Sequence, residues 1–407
     1  MGFRSGKKDS IKPLVVGRIK LVIIYQYRSL TYAIMTTIHP HLIDRPILGG
    51  TFPDRATDAE DLILEEYIAN MVDVGITDVR LKYFRQWEDG SQPFSVLKKV
   101  LGKLEEAKIM VSIILVHADP DNDLLQGAGD YPNNASAVIN RFNNEVYPAI
   151  KDFKNVWGFD VVAEPRIDKF DLSAQKAWWD EVSTAVRKDG RYKVYYNLLK
   201  HHLKYIEEIQ PYSDLLAINY YYPRAEIYDN NVQVKNENDA LINVEAPLMD
   251  YERFELQLVP EEESSPGIAA ATINKMQREI YRFFNALAGK DLQYPVVIAQ
   301  YGEHRGPREP VQSAKDPAKW SRKVWVTELG QKVWYDLFFR TLLEMEEAGK
   351  LPALEGFYLY DIGNRDTGFP IFRPPTGGQG TLMEQAPCCE AIRRAYLKIA
   401  ERWPIQG

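Results

Sequence analysis

Between residues 47 and 403 the chain alternates a short apolar run with a longer amphipathic one, eight times in succession. The short runs Ile47 to Phe52, Asp78 to Phe84, Ile109 to His117, Val156 to Ala163, Tyr192 to Leu198, Asp214 to Tyr221, Tyr294 to Tyr301 and Leu354 to Tyr360 read as strands. The stretches Ala59 to Val74, Phe94 to Lys108, Ala135 to Phe153, Ala174 to Lys188, His202 to Ile209, Ile273 to Ala288, Leu329 to Ala348 and Cys389 to Trp403 carry apolar residues at helical spacing. Ile109 to His117 is nearly continuous in apolar, mostly β-branched residues, as a strand covered on both faces requires. Strand–helix alternation builds a parallel sheet, and eight units in one chain predict a single-domain α/β fold, the (β/α)8 or TIM barrel. An open doubly wound sheet would need a glycine fingerprint after the first strand, and Gly49-Gly50-Thr51 does not supply G-x-G-x-x-G.

Two regions stand outside this alternation. Residues 1–35 are basic, with Asp9 their one acid, and read as an N-terminal extension: either an over-called start ahead of Met35 or a weak signal or anchor segment. Gln26 and Arg28 interrupt its apolar part, which falls short of the roughly 20 apolar residues of a membrane span. No convincing signal peptide stands out, so secreted and cytoplasmic locations stay open, and no stable membrane insertion is expected. Residues 36–407 form the barrel domain, with a long loop at 223–266 between the sixth strand and its helix. A loop of that length in a compact domain is commonly functional. Its run Glu261-Glu262-Glu263 reads as a solvated helix start.

Composition narrows the chemistry. The 407 residues carry 50 basic and 57 acidic side chains, a net charge of −7, and are 45% hydrophobic. That is a globular composition, and the mildly acidic balance argues against a nucleic-acid partner, which needs a basic surface. The two cysteines, Cys388 and Cys389, are adjacent, which suits neither a disulfide nor a zinc site. His201-His202 reads as a helix start. No metal or other cofactor is expected.

In a barrel of this kind the chemistry sits at the C-terminal ends of the strands. Those ends carry Arg80, Tyr83, Phe84, Arg85 and Trp87 after strand two, and His117, Asp119 and Asp121 after strand three. Glu164 ends strand four within Ala163-Glu164-Pro165, and Asn219, Tyr220, Tyr221 and Tyr222 end strand six. Gln300, Tyr301, Gly302, Glu303 and His304 end strand seven; Tyr358, Tyr360 and Asp361 end strand eight. Aromatic rings beside carboxylates suit a sugar, whose C–H faces pack on rings while its hydroxyls need polar partners. Trp87 is the candidate sugar platform, whereas Trp178 and Trp179 fall inside a helix and read as packing. Glu164 is the candidate general acid. Arg80 and His117 also admit a purely structural reading, as a core ion pair and a buried histidine.

These strand ends, in this order, resemble those of the clan of retaining (β/α)8 glycoside hydrolases that includes cellulases and β-mannanases. The resemblance runs from about residue 46 to residue 403. Val74 to Leu81 is similar to the clan's second strand, whose Arg, here Arg80, supports the nucleophile. Ile113 to His117 is similar to the third, with its active-site His. Val156 to Pro165 is similar to the fourth, which in the clan ends Asn-Glu-Pro. Ile218-Asn219-Tyr220-Tyr221 is similar to the sixth, whose Tyr touches the nucleophile. Pro295 to Gly302 is similar to the seventh, and Gly380-Thr381-Leu382 with Pro387 to the closing segment. The resemblance implies a polysaccharide-degrading, cellulase-like hydrolase. Its oligo- or polysaccharide substrate would be held by Arg80, Trp87, His117, Asn219, Tyr221 and Tyr360, with Glu164 as acid/base.

Two departures change that expectation. Ala163 stands where the clan has an Asn that holds the sugar 2-hydroxyl. Gln300 stands where the clan has its nucleophilic Glu. An amide cannot form the glycosyl ester, and it removes the neighbouring charge that raises the pKa of a catalytic acid. Glu303 is the nearest other carboxylate, past the strand end, and also reads as an ion-pair partner of Arg305 or Arg308. The expectation is therefore a retaining-type hydrolase of β-linked glycans with Gln300 in the nucleophile position, and the alternative is a carbohydrate-binding pseudoenzyme. A barrel lyase or isomerase would need a metal or phosphate site that the sequence does not display.

Overall fold

The computed structural model describes residues 46–52, 61–82, 94–117, 131–165, 167–221, 242–244, 249–250, 255–256, 266–302, 306–308, 324–326, 328–360, 362, 371–373 and 384–403. The extension 1–35, Trp87, Asp119, Asp121, Glu303, Asp361 and most of the 223–266 loop lie outside them. His117 and Tyr221 are placed by their backbones alone. None of the described helices is long and apolar enough to cross a membrane.

Eight strands close into a parallel barrel: β1 (Ile47–Phe52), β2 (Asp78–Leu81), β3 (Met110–His117), β4 (Val156–Ala163), β5 (Lys193–Leu199), β6 (Leu216–Tyr221), β7 (Val296–Gly302) and β8 (Leu354–Leu359). Each is hydrogen-bonded to its neighbour in sequence, and β1 closes on β8 with Ile47 opposite Gly356. The helices α1 (Asp61–Val74), α2 (Ser95–Glu106), α3 (Ala135–Arg141), α4 (Tyr147–Ile150), α5 (Leu172–Arg187), α6 (Ile206–Ile209), α7 (Pro266–Ala288), α8 (Glu328–Glu347) and α9 (Cys388–Arg402) fill the connections. The stretch read as one helix over 135–153 is two, joined by a π turn at Phe142–Val146. α7 begins seven residues earlier than the periodicity gave, at Pro266.

Local chemistry sets several of these boundaries. The Asp171 side chain accepts from the Ala174 amide at 2.8 Å, which starts α5, and Lys188 ends it in a left-handed conformation. Gly356 has φ +150, and a Cβ there would run into the Ile47 carbonyl. Glycine is what lets β8 lie against β1 where the barrel closes.

The strands are buried on both faces, and two layers of packing result. Outside the barrel, Tyr196 donates or accepts at Ser183 of α5, and Trp179 tilts against its ring at 5.7 Å. Trp178 and Trp179 are the packing residues the sequence reading made them, with their indole N–H groups on Asn134 and Tyr131. Tyr301 stacks on Phe338 of α8 at 4.9 Å, and its hydroxyl meets Tyr396 of α9, which in turn donates to the Gly49 carbonyl. Inside the barrel the layer is polar. Arg80 and Asp160, both fully buried, form an ion pair; Ser112 Oγ lies 2.7 Å from the Tyr195 hydroxyl and 3.3 Å from that of Tyr358.

Candidate active site

Two β-bulges shape the mouth of the barrel. On β4, Asp160 pairs with Tyr195 but Val162 pairs with Tyr196, so Val161 is an extra residue. On β7, Ile298 pairs with Ile218 but Gln300 pairs with Asn219, so Ala299 is extra. Residues two apart in an unbroken strand share a face. Gln300 would then lie on the Ile298 side; the bulge moves it beside Asn219 instead. Tyr220 and Tyr301, the next pair in register, turn outward onto the aromatic rings of α7 and α8. Bulges of this kind re-aim side chains next to functional sites.

Glu164 follows β4 with φ +56, a left-handed conformation in a residue other than glycine. Ala163 pairs with Asn197 on the inner face, so a continuing pleat would turn Glu164 away from it. The left-handed backbone ends the pleat there. The Glu164 amide donates to the Asn197 carbonyl at 2.9 Å, and Asn219 Nδ2 donates to Glu164 Oε1 at 2.6 Å, across two strands. Asn219 thus touches Glu164 through its side chain and is the strand partner of Gln300 through its backbone. Gln300 is buried. Three of the sequence candidates are brought together at one end of the barrel.

The others are placed less closely. Arg80 Nε donates to Asp160 Oδ2 at 3.1 Å, one turn of strand below Glu164, and Nη2 reaches the same oxygen. Burial pushes the Asp160 carboxyl up to about 6, against the opposing pull of Arg80, with the Glu164 charge adding to the rise. Tyr360, after β8, lies with its hydroxyl 3.4 Å from Lys82 Nζ, which also sits 4.9 Å over its ring. The His117 backbone pairs with Ala163, and that of Tyr221 with Gly302, so both stand at the same rim.

Sequence reasoning missed Asp160 and Asn197. Asp160 had a signal, an acid in the middle of the otherwise apolar run Val-Trp-Gly-Phe-Asp-Val-Val-Ala. Asn197 had none, because its position opposite Ala163 depends on register. Both amide atoms of Asn197, and Asn219 Oδ1, are buried without a hydrogen-bond partner. Buried polar groups are normally paired, and these three atoms are exceptions.

No protein-family profile and no curated protein matches the chain. Solved structures do. A mutant of a glycoside hydrolase family 5 mannosidase from Rhizomucor miehei aligns with a TM-score of 0.50 at 12% identity, over 88% of this chain and 95% of that one. An active-site mutant of a Rhizomucor miehei β-1,3-glucanosyltransferase, in complex with laminaritriose, aligns at 0.48 and 14% identity over 82% of this chain and 96% of that one. A β-glucuronidase from an uncultured Clostridium species aligns at 0.49 and 13% identity; 83% of this chain spans 47% of that longer one. The closed, eight-stranded barrel is thus the TIM-barrel architecture also found in a family 5 glycoside hydrolase.

Proposed function

We propose that the chain acts on β-linked glycans as a retaining-type glycoside hydrolase, with Glu164 as general acid/base and Gln300 in the nucleophile position. The observation that carries this reading is the Glu164–Asn219–Gln300 constellation at the C-terminal mouth of the barrel. Glu164 protonates the leaving glycosidic oxygen, and Asn219 holds its carboxyl group in place. In retaining enzymes the second group lies about 5–5.5 Å from the acid, and positions 164 and 300 stand three strands apart around the rim. Asn197 supplies the sugar contact that Ala163 lacks: it is Ala163's register partner, and its amide is unpaired. Tyr360 presents its ring to the sugar, with Trp87 as the candidate second platform; the backbones of His117 and Tyr221 stand at the rim, above the buried Arg80–Asp160 pair.

Gln300 is neutral, and this favours a second reading on the same site: a carbohydrate-binding pseudoenzyme. Hydrolysis by the chain as it stands needs another carboxylate, for which Glu303 is the candidate. Titration with β-linked gluco- and manno-oligosaccharides, with product analysis, tests both. Turnover that falls by about 10²–10⁴-fold in Glu164→Gln supports the hydrolase. Binding without turnover, weakened by Asn197→Ala, supports the pseudoenzyme. Absence of both binding and turnover overturns the carbohydrate reading.

A further inference from the structure

We propose that the chain binds one divalent transition-metal ion, of the zinc class, between the loop that follows β4 and the turn that follows β5. Asp168, His201 and His202 each offer a ligand atom there, and the three atoms lie within 4.8 Å of one another. Asp168 comes from the loop after Glu164, and the two histidines from the 3-10 turn Lys200–Tyr205.

Three observations point to an ion rather than a surface pair. His202 Nε2 and Asp168 Oδ1 are 3.0 Å apart. Two ligands held at about 2.0–2.2 Å from one tetrahedral ion stand about 3.3–3.6 Å from each other, so a zinc-class ion replaces this hydrogen bond with only a few tenths of an ångström of movement. The His201 and His202 rings lie with centroids 4.1 Å apart, and His201 is exposed, so a small side-chain rotation brings its nitrogen to the same point. His202 is buried, yet its Nδ1 has no hydrogen-bond partner, and Asp168 is the one group its ring hydrogen-bonds among the described residues. Its second nitrogen is thus uncommitted, and either ring nitrogen of an imidazole can ligate a metal.

Two imidazoles with one carboxylate suit zinc, cobalt, nickel or ferrous iron, and leave at least one position for water. An ion here ties the β4 and β5 loops together, four residues beyond Glu164. In the sequence the histidine pair marks only the start of a turn, because its third partner lies more than thirty residues away on another strand's loop. This inference stands apart from the glycosidase reading, and its test does not use catalysis.

The untagged full chain, stripped with EDTA and dialysed, is titrated with Co(II) followed by its visible absorption, and with Zn(II) by calorimetry. The expected result is one ion per chain at micromolar affinity and a rise in Tm on Zn(II) addition. His201→Ala and Asp168→Ala, both at exposed positions that leave the fold intact, each weaken binding at least about tenfold and lose the Tm rise. Absence of saturable binding below millimolar metal overturns the proposal. So does binding that both variants retain unchanged, since the ion would then sit elsewhere.

Discussion

Glu164 adopts a left-handed backbone conformation that costs about 1–3 kcal/mol in a residue with a Cβ. The hydrogen bond from its amide to the Asn197 carbonyl and the one from Asn219 Nδ2 to its carboxylate hold it there. Asn219→Ala therefore frees the carboxylate, at the cost of a small cavity at a buried strand position. Turnover of a β-linked oligosaccharide per folded molecule should fall about 10–100-fold; normal turnover per folded molecule would contradict that role. A different residue contributes to the pH dependence of stability. Asp336 of α8 is buried with neither carboxylate oxygen hydrogen-bonded. Burial pushes its carboxyl from 3.8 up to about 7, opposed by Lys332 and Arg394 and aided by Glu390. Between those values the folded chain keeps a proton that the unfolded chain releases, so stability falls as pH rises from about 4 to about 7, by at most about 1.4 kcal/mol per unit. Thermal melts at pH 5 and pH 8 should show that loss in the native chain and a smaller one in Asp336→Asn. At this scale the sequence was partly legible. Glu164 before Pro165 and Gln300 at the end of an apolar run could be read directly. The partners of Arg80 and Glu164 could not, because Asp160 and Asn219 meet them across strands far apart in the chain.

At the scale of elements, β-branched runs and helical periodicity located all eight strands and most helix boundaries within a few residues. The pleat was not legible. The extra residues Val161 and Ala299 look like any other apolar residue in a strand, yet they decide which way Ala163 and Gln300 face. A strict two-residue alternation would turn Gln300 onto the Ile298 face. Gly356 is the element-level counterpart: a substitution to Ala must move β8 away from the Ile47 carbonyl. Gly356→Ala should lower stability by several kcal/mol in denaturant melts, whereas Gly190→Ala should cost less, because nothing lies within 4 Å of its Cβ position, although its φ of +87 still disfavours Ala.

For the whole molecule, closure of the barrel places charge inside it. The Arg80–Asp160 pair joins β2 to β4 across β3, fully buried. Removing one partner leaves the other charged and without its counter-ion, so Asp160→Ala should cost about 3–5 kcal/mol. Joint replacement by apolar residues of similar volume, Arg80→Met with Asp160→Leu, should recover most of that loss. Urea unfolding of the two variants checks both values. Closure also explains why the alternation of eight units sufficed to identify the architecture, since a parallel sheet of eight strands covered by helices has few other ways to bury its edges. It explains equally why the site could be named but not assembled from sequence: β4 and β7 are neighbours only through the strands between them.

In the proposed hydrolase, positions 164 and 300 face a common sugar across that rim. Hydrolysis of a panel of aryl β-glycosides by the native chain, Gln300→Glu and Glu303→Ala, side by side, decides this. Gln300→Glu should turn over at least one β-glycoside about 100-fold or more faster than the native chain. A Gln300→Glu variant that folds normally and gains nothing would contradict the place given to Gln300, whereas loss of native activity in folded Glu303→Ala would identify the other carboxylate that hydrolysis by the native chain needs.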